Sequence, residues 1–151
     1  MKRTMLLAAL AASLAACAST PRPQTIDPKL SLYRAHAGAP VDTFQYFGRL
    51  NGWTPLGDMA LAVWTRPNQA YLLEVFGPCH DLDFAPAISV SNHMSQVSAR
   101  FDSVTALGGG VGPIQVPCRI QTIRPLDIKA LKQAQREMRE AKVVEREQRQ
   151  R

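Results

Sequence analysis

The densest run of side chains able to do chemistry is Cys79-His80-Asp81-Leu82-Asp83, followed after an apolar stretch by His93. Imidazole and carboxylate together suit a divalent ion, so His80, Asp81, Asp83 and His93 are the candidate metal ligands. Their spacing argues the other way. Neither H-x-x-H nor H-E-x-x-H occurs, and Asp81 and Asp83 stand where a loop uses turn formers. The expectation is therefore no bound metal and no cofactor. Ser91 and Ser95 flank His93 and, with an Asp, supply the residue types of a hydrolase, but no G-x-S-x-G elbow frames either serine. No catalytic residue is assigned. Gly108-Gly109-Gly110-Val111-Gly112 would let backbone N–H groups approach an anion. No Lys-Ser/Thr follows, and the run leads into a strand rather than a helix, so a flexible hairpin loop is expected instead of a phosphate loop.

The three cysteines are Cys17, Cys79 and Cys118, and the first belongs to a targeting segment. Met1-Lys2-Arg3 gives a positive start, and residues 5–16 are apolar apart from Ser13, the layout of a secretory signal. As a helix this run rises only about 18 Å at roughly 1.5 Å per residue, short of the ~30 Å hydrocarbon core, which disfavours a permanent span. At its end Leu14-Ala15-Ala16-Cys17 looks like the bacterial lipobox, in which the Cys accepts lipid. That resemblance implies cleavage after residue 16 and acylation of Cys17. Ala18 and Ser19 lack the Asp that would suggest inner-membrane retention, so the expected address is the periplasmic face of the outer membrane. Each buried methylene adds about 0.8 kcal/mol, and several acyl chains anchor stably where one does not.

With Cys17 occupied, Cys79 and Cys118 remain as a pair in an oxidising compartment, where a disulfide is the default. In the chain-entropy model a loop of about 39 residues stabilises by roughly 4 kcal/mol. A reactive thiol pair is the functional alternative, but no C-x-x-C spacing is present to depress a pKa.

Removing residues 1–16 from 151 leaves 135, enough for one domain with a modest core. The formal charge of +6 falls to +4 without Lys2 and Arg3. Between residues 41 and 125 five basic residues (Arg49, Arg66, Arg100, Arg119, Arg124) face six acidic ones (Asp42, Asp58, Glu74, Asp81, Asp83, Asp102). The basic excess thus sits in the flanks and gives no argument for nucleic-acid binding. Export argues against it as well.

The elements that must position these groups follow from punctuation and periodicity. Residues 17–27, with Pro21 and Pro23, read as a lipidated tether reaching up to ~30 Å at about 3.1 Å per residue. Asp27-Pro28 reads as a helix cap and first position, opening a short helix over 29–37 that Gly38 and Pro40 stop. From residue 43 the period becomes two, with strands expected over 43–50, 59–65, 70–76, 87–90, 96–107 and 116–123. Arg66-Pro67-Asn68-Gln69 marks the clearest hairpin. Met59, Leu61 and Val63 share one face of its first arm, and Tyr71, Leu73 and Val75 one face of its second, as core. In the long fifth strand Val97, Ala99 and Phe101 alternate against Gln96, Ser98 and Arg100. Asp127 caps a closing helix on which Ile128, Leu131, Ala134, Met138, Ala141 and Val144 recur at spacings of three or four.

The expected fold is mainly β (α+β): a small curved antiparallel sheet or partly open barrel of about six strands, with a short N-terminal helix and a C-terminal helix. The disulfide-braced domain spans 28–131, and residues 132–151 form a charged tail that stays helical, frays or projects. Trp53 and Trp64, with Phe44, Tyr46, Phe47, Tyr71 and Phe76 near them in sequence, supply core or, where exposed, a ligand or glycan platform. The mixed charges of the tail favour a solvated face over a lipid or partner contact.

Gly52-Trp53, Leu56-Gly57-Asp58, Tyr71-Leu72-Leu73, Cys79 with Leu82, and Cys118-Arg119-Ile120 leading to Ile123-Arg124-Pro125-Leu126-Asp127 resemble a family of small proteobacterial lipoproteins of unknown function. The resemblance covers about residues 28 to 130 and adds weight to the Cys79–Cys118 pairing. It implies no catalytic residue. The signature of lysozyme-inhibitor lipoproteins is not found.

The leading expectation is a non-enzymatic envelope protein, held to the membrane by its lipid and binding a partner protein or cell-wall component, with no nucleic acid. The alternative is a periplasmic metal-binding or hydrolytic protein using His80, Asp81, Asp83 or His93. A third reading is an accessory of an outer-membrane complex, docked through the C-terminal helix. Nothing in the sequence sets the oligomeric state.

Overall fold

The computed structural model describes residues 27–108 and 115–151. The signal run, Cys17, the tether to Ile26 and the glycines at 109, 110 and 112 lie outside them. Helix α1 (Pro28–Ala35) begins as its sequence dictates: the Asp27 side chain accepts the Lys29 N–H at 2.8 Å, and Pro28 fills a first-turn position where no N–H is needed. Among the described residues eight strands follow: β1 (Thr43–Gln45), β2 (Gly52–Pro55), β3 (Ala60–Arg66), β4 (Gln69–Val75), β5 (Ala87–Val90), β6 (Gln96–Ser98), β7 (Ser103–Leu107) and β8 (Cys118–Pro125). Helix α2 (Ile128–Arg149) closes the chain.

Six strands form one antiparallel sheet in the order β2-β3-β4-β8-β7-β5, which curls into a half-barrel. A two-stranded ribbon, β1 with β6, contributes Phe44 and Val97 to the core inside the curl. The mainly β expectation with a helix at each end is what the chain adopts.

The central hairpin is apolar on both sides. In β3 the four consecutive residues Ala60, Leu61, Ala62 and Val63 are all fully buried, as are Leu72 and Leu73 of β4. Leu61, Val63, Leu73 and Val75 point into the curl, with Val104, Ile120 and Ile123. Ala60, Ala62, Ala70 and Leu72 lie under Leu30 and Tyr33 of α1 and Ile128 and Leu131 of α2. Small side chains on this outer face let the helices approach closely. The expectation of one core face per strand is therefore corrected: strands covered on both sides read as continuous apolar runs, as 60–63 does. Met59, counted as core, precedes β3 and is 40% exposed.

Polar contacts fix α1 to the sheet. Nε and Nη2 of Arg34 both donate to Oε1 of Glu74 on β4, at 2.8 and 2.5 Å, and Thr122 of β8 donates its hydroxyl to the other oxygen at 3.1 Å. Arg124 of β8 donates to the carbonyls of Gly38 and Ala37 just past α1, at 2.7 and 3.1 Å. The guanidinium thus ties the chain leaving α1 to the sheet. Asp127, next along the Arg124-Pro125-Leu126-Asp127 run, caps α2 by accepting the Ala130 N–H at 3.0 Å.

Other boundaries differ from the sequence reading. The strand expected over 43–50 is only Thr43–Gln45, and β2 was not anticipated. The strand expected over 96–107 breaks into β6 and β7, because the chain turns back at Ala99–Asp102 with Arg100 at φ 69°. Phe101 consequently points out, 87% exposed, rather than alternating into the core. The C-terminal helix continues unbroken to Arg149, with Ile128 and Leu131 as its buried residues, so most of its length projects.

Candidate functional site

Cys79 and Cys118 are joined by a disulfide with Cα atoms 5.9 Å apart, tying the loop after β4 to the start of β8. The polar run beside Cys79 serves this loop. Oδ1 of Asp83 accepts the Gly57 N–H at 3.0 Å, the Cys79 N–H donates to the Asp58 carbonyl at 2.7 Å, and Leu82 is fully buried between. The Leu56-Gly57-Asp58 turn, where Gly57 sits at φ 91°, is thereby clasped to the Cys79–Asp83 loop. Only a residue at ease in the left-handed region suits that turn.

His80 and Asp81 are exposed on the same loop, while His93 lies elsewhere, at a tight turn where it exchanges two 2.9 Å backbone hydrogen bonds with Gln96. Among the described residues no group of three or more His, Cys, Asp or Glu side chains gathers to hold a metal ion. Ser95 stands at φ 62° inside that turn. Ser91 donates its hydroxyl directly to Asp102 at 2.7 Å and accepts the Ser103 N–H at 2.9 Å. Its proton is thus held by a carboxylate rather than by an imidazole, which is not the Ser–His–Asp order a relay needs.

The structure instead gathers side chains at one end of the half-barrel. A cleft of about 490 Å³ opens between β1, the segment after it and the β3–β4 hairpin. Phe44 and Tyr71 stack within it, ring centroids 4.6 Å apart and planes 17° from parallel. Tyr71 owes its place to register: it lies opposite Val63 across the hairpin, on the concave side. Its hydroxyl accepts the Gln69 Nε2–H at 2.9 Å, and the Thr65 hydroxyl donates to the Gln69 carbonyl at 3.4 Å. Arg49 and Arg66 line the opening with Phe47, which is 69% exposed, and no carboxylate is among the lining residues. Neither arginine is in an ion pair among the described residues.

The aromatics grouped by sequence are therefore divided. Phe44 and Tyr46 are buried, Phe47 and Phe76 exposed, and Trp53 and Trp64 partly buried at the margins of the two cores. No motif or spacing in the sequence marks Arg49, Arg66 and Gln69 as site residues. The one signal was the hairpin turn itself, which fixes Arg66 opposite Gln69 and brings both to the rim.

A curled β sheet backed by two helices, braced by one disulfide and open at one end on an aromatic cleft, defines a small α+β domain with a ligand-sized recess. The chain belongs to the family of unknown function DUF6491, which it matches over residues 1–142. The match extends beyond the stretch of 28 to 130 on which the resemblance rested. No curated protein and no solved structure matches the chain.

Proposed function

We propose that this is a non-enzymatic envelope protein, anchored by acylated Cys17 at the periplasmic face of the outer membrane, whose cleft holds a carboxylate-bearing fragment of the cell wall. The anchor reading is supported by the charged start, the short apolar run and Leu14-Ala15-Ala16-Cys17. The disulfide suits an oxidising compartment. The observation that carries the binding reading is the cleft lining: half-buried Tyr71, backed by the buried ring of Phe44, and exposed Phe47 stand beside two guanidiniums, with no carboxylate to neutralise them. An aromatic face packs against the C–H face of a sugar ring, and a guanidinium fork matches a carboxylate with two parallel hydrogen bonds.

Titration of the protein with soluble fragments of a cell-wall digest, followed by amide NMR, tests it. The expected result is saturable shifts in β1 and the β3–β4 hairpin, lost in Arg49→Glu/Arg66→Glu. Absence of any saturable shift in the wild-type protein rejects the cleft reading. For the anchor, a Cys17→Ser variant should leave the outer-membrane fraction under a high-salt wash; retention there rejects lipidation as the attachment.

A further inference from the structure

One face of α2 is basic, although the charges of the helix look mixed in sequence. Arg139, Lys142, Arg146 and Arg149 recur at spacings of three and four and share one side of the helix, whereas Glu137, Glu140 and Glu147 fall on others. Glu145 stands at the border of the basic stripe, where it pairs with Arg149 at 2.6 Å. At its inner end the stripe enters an open groove of about 540 Å³ between α1 and α2, lined by Lys29, Leu32, Met138, Arg139 and Lys142. The one carboxylate there, Asp27, already accepts the Lys29 backbone N–H. Arg139 and Lys142 are in no ion pair among the described residues.

We infer that this face binds anionic phospholipid headgroups. Charge complementarity selects the occupant: cations converge on a groove whose apolar members, Leu32 and Met138, suit the headgroup boundary, as on an interfacial amphipathic helix. Position agrees, because the groove lies at Asp27, where the tether delivers the domain, ten residues after Cys17. The setting rests on the anchoring proposed above; the headgroup chemistry does not. Surface charges act only within about 10 Å at moderate salt, so the face must touch the bilayer, and a basic residue there is worth about a fivefold gain in partition.

Cys17→Ser protein of mature length, residues 17–151, which carries neither acyl chains nor the apolar run of 5–16, is co-sedimented with phosphatidylcholine vesicles with and without phosphatidylglycerol. The expected result is preferential binding to the anionic vesicles, abolished by high salt and reduced at least tenfold in Arg139→Glu/Lys142→Glu. Lys129→Glu/Arg136→Glu makes the same change of net charge on another side of α2, and should lose less than threefold. Wild-type binding indifferent to lipid charge, or equal loss in both variants, overturns the inference. So does a groove variant that acts by dissociating a dimer in sedimentation, which would make the face a contact between copies. Failure of the anchor shows separately, as outer-membrane fractionation of Cys17→Ser in cells that persists through a high-salt wash, which the headgroup contact does not survive.

Discussion

The Ser91 hydroxyl meets Oδ1 of Asp102 at 2.7 Å while Oδ2 of the same carboxylate accepts the Ser98 N–H at 2.7 Å. Asp102 is the buried charged residue of the described chain, 8% exposed, and it holds the turn that reverses β6 into β7. A carboxylate out of water is tolerated when its oxygens are satisfied, and removing it leaves donors unpaired. Asp102→Ala should therefore cost about 3 kcal/mol of unfolding free energy, and Asp102→Asn roughly half that. Urea unfolding at neutral pH measures both. An Asp102→Ala protein as stable as wild type would mean that the turn is held by its backbone bonds alone.

Closing 39 residues with Cys79–Cys118 restricts the unfolded chain. The chain-entropy model gives about 4 kcal/mol, so a Cys79→Ala/Cys118→Ala protein should unfold at distinctly lower denaturant. Both cysteines of the folded protein should resist thiol reagents until reduced. Mass spectrometry after alkylation distinguishes the two states, and ready labelling without reductant contradicts the bridge.

Arg34 and Glu74 join α1 to β4 with side chains 39% and 19% exposed. Partial exposure screens the pair, and a double-mutant cycle with Arg34→Ala and Glu74→Ala should return a coupling of about 1 kcal/mol. Glu74→Ala should be the costlier single change, because it also strands the Thr122 hydroxyl. A cycle closing at zero would show that apolar packing alone seats α1.

Truncation after Glu140 should leave the unfolding midpoint essentially unchanged, since the buried residues of α2 are Ile128 and Leu131. Leu131→Ala, by contrast, should cost about 3 kcal/mol for a fully packed leucine. Thermal unfolding by circular dichroism compares them. A destabilised truncation would reveal packing by the outer half of the helix.

What was legible in the sequence was local. Asp27-Pro28 and Asp127 set both helix starts because a cap acts over three or four residues, and Arg66-Pro67-Asn68-Gln69 set the hairpin for the same reason. The pair of cysteines could be matched by elimination. Less legible were features made by contacts distant in sequence. The alternation Val97, Ala99, Phe101 continues through a reversal imposed by Asp102, so period alone carried the strand too far. β2 is four residues long and includes a glycine and a proline, and its pairing with β3 is what makes it a strand. Arg49 and Arg66 are 17 positions apart in sequence, and the pairing of β2 with β3, Gly52 opposite Trp64, is what brings them to one opening. The basic face of α2 was present in the sequence but invisible to a count of signs.

Burial of β3 and β4 on both faces has a consequence before the fold exists. In an unfolded chain, Ala60-Leu61-Ala62-Val63-Trp64 is an uncharged apolar segment without proline or glycine, and Ala70-Tyr71-Leu72-Leu73 is a second one close behind. Such windows are the ones that pair between chains when exposed. A β hairpin closes in about 1–10 μs, faster than chains meet at low concentration, so the Pro67-Asn68 turn gives each segment its own neighbour as first partner. Refolding yield should then depend on the turn more than on either strand, a kinetic safeguard contributed by two exposed residues that bury nothing themselves.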